Sequence, residues 1–177
     1  LIASGAVAGM IPNSFASAAP IRSASDKINL ALIGCRNMGF GILEQSLKQP
    51  NVECVALCDI DDAVLAQRTA DVKKKQGKAP LQYKDFRKLL NNKDIDAVII
   101  GTPDHWHCLP FIYACEAGKD VYVEKPLANS IGECEVMVKA ARKYNRVVQV
   151  GQQQRSGVHW SQAMEFIKAG KIGQLRK

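Results

Sequence analysis

Aromatic side chains are scarce, making up 6% of the 177 residues. The sequence also lacks a basic stripe interleaved with aromatics, so nucleic acid is not favoured as a partner despite a net charge of +7 and a pI near 9.2. The one dense basic run, Lys73-Lys74-Lys75 with Lys78 behind it, reads as a solvated helix end that suits the helix dipole. The six cysteines include no C-x-x-C pair, which removes the spacing of zinc and thioredoxin-like sites. His105 and His107 have no third ligand in the same stretch, so no metal site is expected. There is no internal repeat and no low-complexity segment.

Charge is missing altogether from Leu1 to Pro20, and Leu1 to Pro12 is a short apolar segment. It is too short to span a bilayer. Ala16-Ser17-Ala18 has the small-x-small form of a signal-peptidase site, so residues 1–20 read as the remnant of an export signal and a periplasmic location is expected. The cysteines weigh the other way, toward a cytoplasmic alternative. Cys54 and Cys58 would lie roughly 13 Å apart along one strand, too far to join. Unpaired thiols suit a reducing compartment.

What is present is the balance of a soluble globular chain, 47% hydrophobic and 23% charged, with room for one ordinary domain and little more. Strands are predicted at Ile28–Ile33, Val52–Cys58, Ala97–Ile100, Val121–Val123 and Val147–Val150. Helices fall between them. The first carries Ile42, Leu43 and Leu47; the second covers Ala63–Lys75 and closes at Gly77; a short one covers Tyr83–Leu90. Another runs through Phe111, Ile112 and Cys115 to a stop at Gly118. A Ser130/Glu133 capping box starts the next, with Cys134, Met137, Val138 and Ala141 inward. Strands apolar on both faces and separated by helices call for a parallel sheet covered on both sides, a doubly wound α/β fold. Past Gly151 a further helix presents Trp160, Ala163, Met164 and Ile167 and stops at Gly170. Lys171 to Lys177 then reads as the opening of another strand.

The first strand runs into Gly34-Cys35-Arg36-Asn37-Met38-Gly39. Two of the three glycines of a G-x-G-x-x-G dinucleotide turn are present, and Arg36 stands at the second. An arginine there must point away from a pyrophosphate or pair with a phosphate. The turn opens a helix, whose free N–H groups face whatever sits there. Twenty residues past Gly39 stands Asp59, at the end of the second strand. A carboxylate there accepts hydrogen bonds from the adenosine ribose of NAD and repels the extra phosphate of NADP. No arginine lies nearby in sequence to receive that phosphate, so the expected cofactor is NAD; Asp59 alone would also serve as a helix cap. Later strands end in Thr102-Pro103-Asp104-His105-Trp106-His107, Glu124-Lys125-Pro126 and Gly151-Gln152-Gln153-Gln154-Arg155. Ligands bind at such strand ends in open α/β sheets. Lys125, between an apolar strand and a proline, is a candidate proton relay. The competing reading is a surface ion pair with Glu124 or another acid.

In this order the residues resemble the glucose-fructose oxidoreductase and inositol dehydrogenase family (Gfo/Idh/MocA). The resemblance covers Lys27 to Lys177 and rests on the glycine turn, Asp59, Thr102-Pro103 with His107, Glu124-Lys125-Pro126 and Gly170-Lys171-Ile172-Gly173. The T-P-D-H-W-H form and the leader resemble the exported bacterial branch. The resemblance implies a two-domain enzyme acting on a sugar, a cyclitol or a related secondary alcohol. It places Lys125 near the nicotinamide as a substrate-binding or proton-moving residue, with His107 in support. It places Thr102, Pro103 and His107 along the cofactor cleft, with Gln152 to Arg155 reaching toward the nicotinamide end. Gly34, Arg36, Asn37, Met38, Gly39, Asp59, Glu124 and Gln152 complete the expected cofactor contacts.

The resulting division is residues 1–20 as leader, 21–155 as the dinucleotide-binding domain, and 156–177 as a linking helix and the start of a second, α+β substrate domain that is absent. Homo-oligomers are expected of the full-length enzyme. Two rival readings stand beside the dehydrogenase: an NAD-dependent glycosidase that oxidises its sugar transiently, and a non-enzymatic dinucleotide-binding module.

Overall fold

The computed structural model describes residues 27–174 and Arg176. The expected leader lies outside the described residues. Six strands form one sheet: β1 (Ile28–Ile33), β2 (Val52–Cys58), β3 (Leu81–Tyr83), β4 (Ala97–Ile100), β5 (Asp120–Glu124) and β6 (Val148–Gly151). All neighbours pair in parallel, in the order β3-β2-β1-β4-β5-β6. The doubly wound expectation holds. The chain reverses its direction of travel across the sheet between β1 and β4, and the crevice at such a reversal is where these sheets bind ligands.

The helices are α1 (Asn37–Ser46), α2 (Asp62–Gln76), α3 (Phe86–Leu90), α4 (Cys108–Glu116), α5 (Ile131–Lys143) and α6 (Val158–Lys168). Alternation along the strands divides the core in two. Ala31, Ile33, Val98 and Ile100 face Leu89, Phe111, Cys115 and Met137 on one side of the sheet. Leu32, Leu57 and Ile99 face Phe40, Leu43, Leu65 and Val72 on the other. Sequence-encoded caps fix several helix ends. The Asp61 carboxylate accepts the Ala63 and Val64 N–H groups, and Gly77 closes α2 at φ +79°. The Ser130/Glu133 box is formed in full.

Several expectations are corrected. Tyr83 ends a three-residue edge strand rather than starting a helix, because the Asp85 carboxylate caps α3 one residue before Phe86. On α5, Met137 and Ala140 are buried while Val138 points outward. The helix expected past Gly151 forms as α6; its Trp160 and Met164 are exposed, and α6 buries no residue. Lys171 and Ile172 form a turn rather than strand; Leu175 and Lys177 lie outside the described residues.

All six cysteines are free. Burial pushes the Cys54 and Cys58 thiols up to about 12 and Cys115 to about 11; Cys35, with Asp59 and Cys58 adding to burial, goes higher still. A thiol held protonated and out of solvent is a poor nucleophile. Alkylation of the native protein at pH 8 should therefore modify the half-buried Cys108 and Cys134 first. Mass mapping of the labelled peptides reads the order, and rapid labelling of Cys35 would contradict it.

Candidate cofactor and active site

Backbone contact between two loops builds the centre of the site. Gly34 follows β1 at φ +86°, and a Cβ on it would lie 2.6 Å from the Thr102 nitrogen. A Cβ on Gly39 would lie 2.5 Å from the Gly34 carbonyl oxygen, and one on Gly101 would collide with the Gly39 Cα. The three glycines let the first turn of α1 lie directly on the ends of β1 and β4. Gly101 directly precedes Thr102-Pro103, but its role depends on a strand that arrives 62 residues later than Gly39. The sequence carries no signal for that contact. Asn37 adopts φ +30°, and no side chain caps the N-terminus of α1.

Asp59 is placed by the same turn. Its Oδ2 accepts the Cys35 N–H at 2.8 Å and its Oδ1 the Asp61 N–H at 3.0 Å. Each oxygen keeps a lone pair, and the carboxylate is aimed before any ligand arrives. A cleft of about 560 Å³ opens here, lined by Gly34, Arg36, Asp59, Ile60, Thr102 and Pro103 among others. Lys84, Arg87 and Trp106 line it too, contributed by segments that sequence spacing does not connect to Asp59.

On the far side of the turn lies a larger cleft of about 1170 Å³, bordered by Met38, Lys125, Gln152, Arg155, Trp160 and Met164. Lys125 is exposed and forms no ion pair among the described residues, so the surface salt bridge considered for it is not made. Glu124 instead is buried, 4% exposed. Its Oε2 accepts the Lys125 N–H at 3.1 Å, while its Oε1 is buried without a partner. Gly151, opposite Glu124 in register, leaves room for that oxygen; a Cβ there would sit 2.7 Å away. Burial and the Glu124 charge together raise the neighbouring Tyr122 phenol above its ordinary value.

His107 is corrected in role. It is 1% exposed and lines neither cleft. Its Nδ1 lies 2.7 Å from the Pro126 carbonyl oxygen and its Nε2 2.8 Å from that of Thr102. Its ring is buried with a carbonyl oxygen at each nitrogen, and whichever nitrogen carries the proton donates to one of them. It ties the loop after β4 to the loop after β5, immediately beyond Lys125, and is a positioning residue. His105 is exposed on the smaller cleft, and among the described residues no group of three or more His, Cys, Asp or Glu could hold a metal.

Residues 28–152 match the model of the Gfo/Idh/MocA oxidoreductase family, NAD-binding Rossmann fold. The chain belongs to that family. A glycosyl hydrolase family 109 protein from Shewanella sp. (strain W3-18-1) is 31% identical over 154 residues, 85% of this chain and 34% of that protein. The chain thus spans about a third of the length of such curated relatives. The crystal structure of myo-inositol 2-dehydrogenase from Lactobacillus plantarum superposes with a TM-score of 0.74 at 25% identity, covering 85% of this chain and 43% of that one. Scyllo-inositol dehydrogenase from Lactobacillus casei, solved with NAD(H) and scyllo-inositol, gives 0.72 at 26% identity, covering 84% of this chain and 43% of that one. As a member of this Gfo/Idh/MocA family the domain is an NAD-binding one, and the six-stranded order is that of a Rossmann fold.

Proposed function

We propose that this chain holds NAD for an oxidoreductase that moves a hydride to or from a secondary alcohol carbon of a sugar, cyclitol or related compound. The observation that carries the reading is the buried, unpartnered Glu124 Oε1 beside the exposed and unpaired Lys125. A buried carboxylate oxygen without a donor is costly unless a ligand supplies one, and a nicotinamide ribose hydroxyl is such a donor. The open N-terminus of α1 and the glycine contacts fit a pyrophosphate, and the pre-aimed Asp59 fits a ribose.

The bound dinucleotide supplies the hydride chemistry; the protein supplies binding, orientation and proton management. Gly34, Asn37, Met38 and Gly39 hold the pyrophosphate side, Thr102 and Pro103 wall the adenosine side, and Gln152 borders the cleft near Lys125. Lys125 holds the substrate hydroxyl and takes or returns its proton, and His107 fixes the loop that carries it. Export to the periplasm belongs to the same proposal, on the strength of Ala16-Ser17-Ala18.

Calorimetric titration with NADH tests the reading: saturable one-to-one binding is expected, and no binding by a folded chain would remove its support. The 31% identity to a glycosyl hydrolase family 109 protein favours a second reading, transient oxidation within a glycosidase. Product analysis of the full-length polypeptide separates the two. Net NADH accumulates for a dehydrogenase, whereas a glycosidase releases a free sugar with no net NADH.

A further inference from the structure

The smaller cleft contains an arginine that spacing from Asp59 along the sequence does not supply. Arg36 borders the cleft together with Asp59, and Lys84 and Arg87 line it as well. An arginine beside the ribose-binding carboxylate is the usual receiver of the 2′-phosphate of NADP. Here each cation already has a carboxylate. Arg36 Nη2 is paired with Asp61 Oδ2, and Lys84 with Asp62. Arg87 grips Asp85 with two parallel bonds, Nε to Oδ1 at 2.9 Å and Nη2 to Oδ2 at 2.8 Å. Asp59 is the carboxylate left over, held by backbone N–H groups and by no cation among the described residues.

We infer that Asp61 is a second determinant of cofactor choice, acting by occupying Arg36. This rests on the NAD-binding reading above. Asp59 alone repels a 2′-phosphate, but an unpaired Arg36 next to it would offset that repulsion with a charge-assisted bond. Asp61 removes the offer. The pair is exposed, so it contributes little to stability and is easily remade with another anion. Its effect is therefore on selectivity.

The substitution that tests this is Asp61→Asn. Asparagine caps a helix as well as aspartate does, so the Ala63 and Val64 N–H groups keep their acceptor and α2 keeps its start. The Asp61 N–H that holds Asp59 belongs to the backbone and is untouched. Calorimetric titrations with NADH and NADPH, all at one salt concentration, are run on the unsubstituted chain, D61N, R36A and R36A/D61N. D61N should bind NADPH roughly tenfold more tightly than the unsubstituted chain, the scale of one charged hydrogen bond, with NADH affinity little changed. R36A should leave NADH affinity close to its starting value. In the R36A background the gain should be absent, so that R36A/D61N binds NADPH no more tightly than R36A.

An unchanged NADPH affinity in D61N overturns the inference. So does a gain that persists in R36A/D61N, since the lost negative charge alone would then account for it. A large loss of NADH affinity in R36A also overturns it, by assigning Arg36 to the pyrophosphate. If the unsubstituted chain binds neither dinucleotide, the cofactor reading itself fails and takes this inference with it. NADH binding without a D61N effect defeats only the inference.

Discussion

Gly101→Ala should destabilise the protein by about 3 kcal/mol or more, at the upper end of what overpacking a tight site costs. The added methyl meets backbone on both sides, the Gly39 Cα and, at 3.2 Å, the Gly34 carbonyl oxygen. Backbone atoms cannot step aside as a flexible side chain does. Relief requires lifting α1 from β4, which opens the packing of Phe40 and Leu43 against Leu32 and Ile99. In urea, with an m value of about 2 kcal/mol/M for a domain of this size, the midpoint should fall by roughly 1.5 M. Gly41→Ala is the matched control. It lies in α1 with nothing within 4 Å of its added Cβ, so it should gain roughly 0.5–1 kcal/mol from helix propensity. Equal midpoints for the two variants would mean that the glycine crossing is not tight.

Lys125→Met should lower kcat in the full-length polypeptide by about 10²- to 10⁴-fold, the range of a lost general acid–base group. NADH affinity should change by only a few-fold. Methionine preserves the length and the apolar stem while removing the ammonium. The Glu124 contact to residue 125 is made through the backbone N–H and survives the change. Lys125 makes no ion pair among the described residues, so its removal leaves no partner stranded and little stability is lost. A non-enzymatic dinucleotide-binding module would show no such separation, since it would lose little by any assay. Turnover retained within about tenfold would strip Lys125 of its proposed role.

Features carried by local sequence are legible in the residues themselves. The alternation of apolar runs with amphipathic stretches, the Ser130/Glu133 box, the Gly77 stop and the strand-end position of Asp59 all depend on residues within a turn or two of one another. What escapes a local reading is set by tertiary arrangement. β3 is only Leu81-Gln82-Tyr83, with Leu81 half exposed, and only its pairing with Ala56–Cys58 makes it a strand. Val138 matches the apolar period of α5 but faces outward, because α4 meets the stripe of Met137 and Ala140. His107 carries the chemistry of a catalytic group in its type and neighbourhood. Its burial between the Thr102 and Pro126 carbonyls follows from β4 lying beside β5, which no local pattern encodes. The carboxylates that occupy Arg36, Lys84 and Arg87 are hidden for a related reason. Two of those three pairs join positions more than twenty residues apart.

The two walls of the larger cleft differ in how they are held. One is anchored on the sheet, by Met38 in the first turn of α1, Lys125 directly after β5 and Gly151 at the end of β6. The other is α6, eleven residues with no side-chain cap at its N-terminus and no buried residue. A helix of that length is marginal in water when nothing packs on it. The crevice therefore has one hard jaw and one soft one. On the hard side a ligand must match a shape already set; on the soft side, where Trp160 and Met164 stand, the protein can take its shape from the ligand.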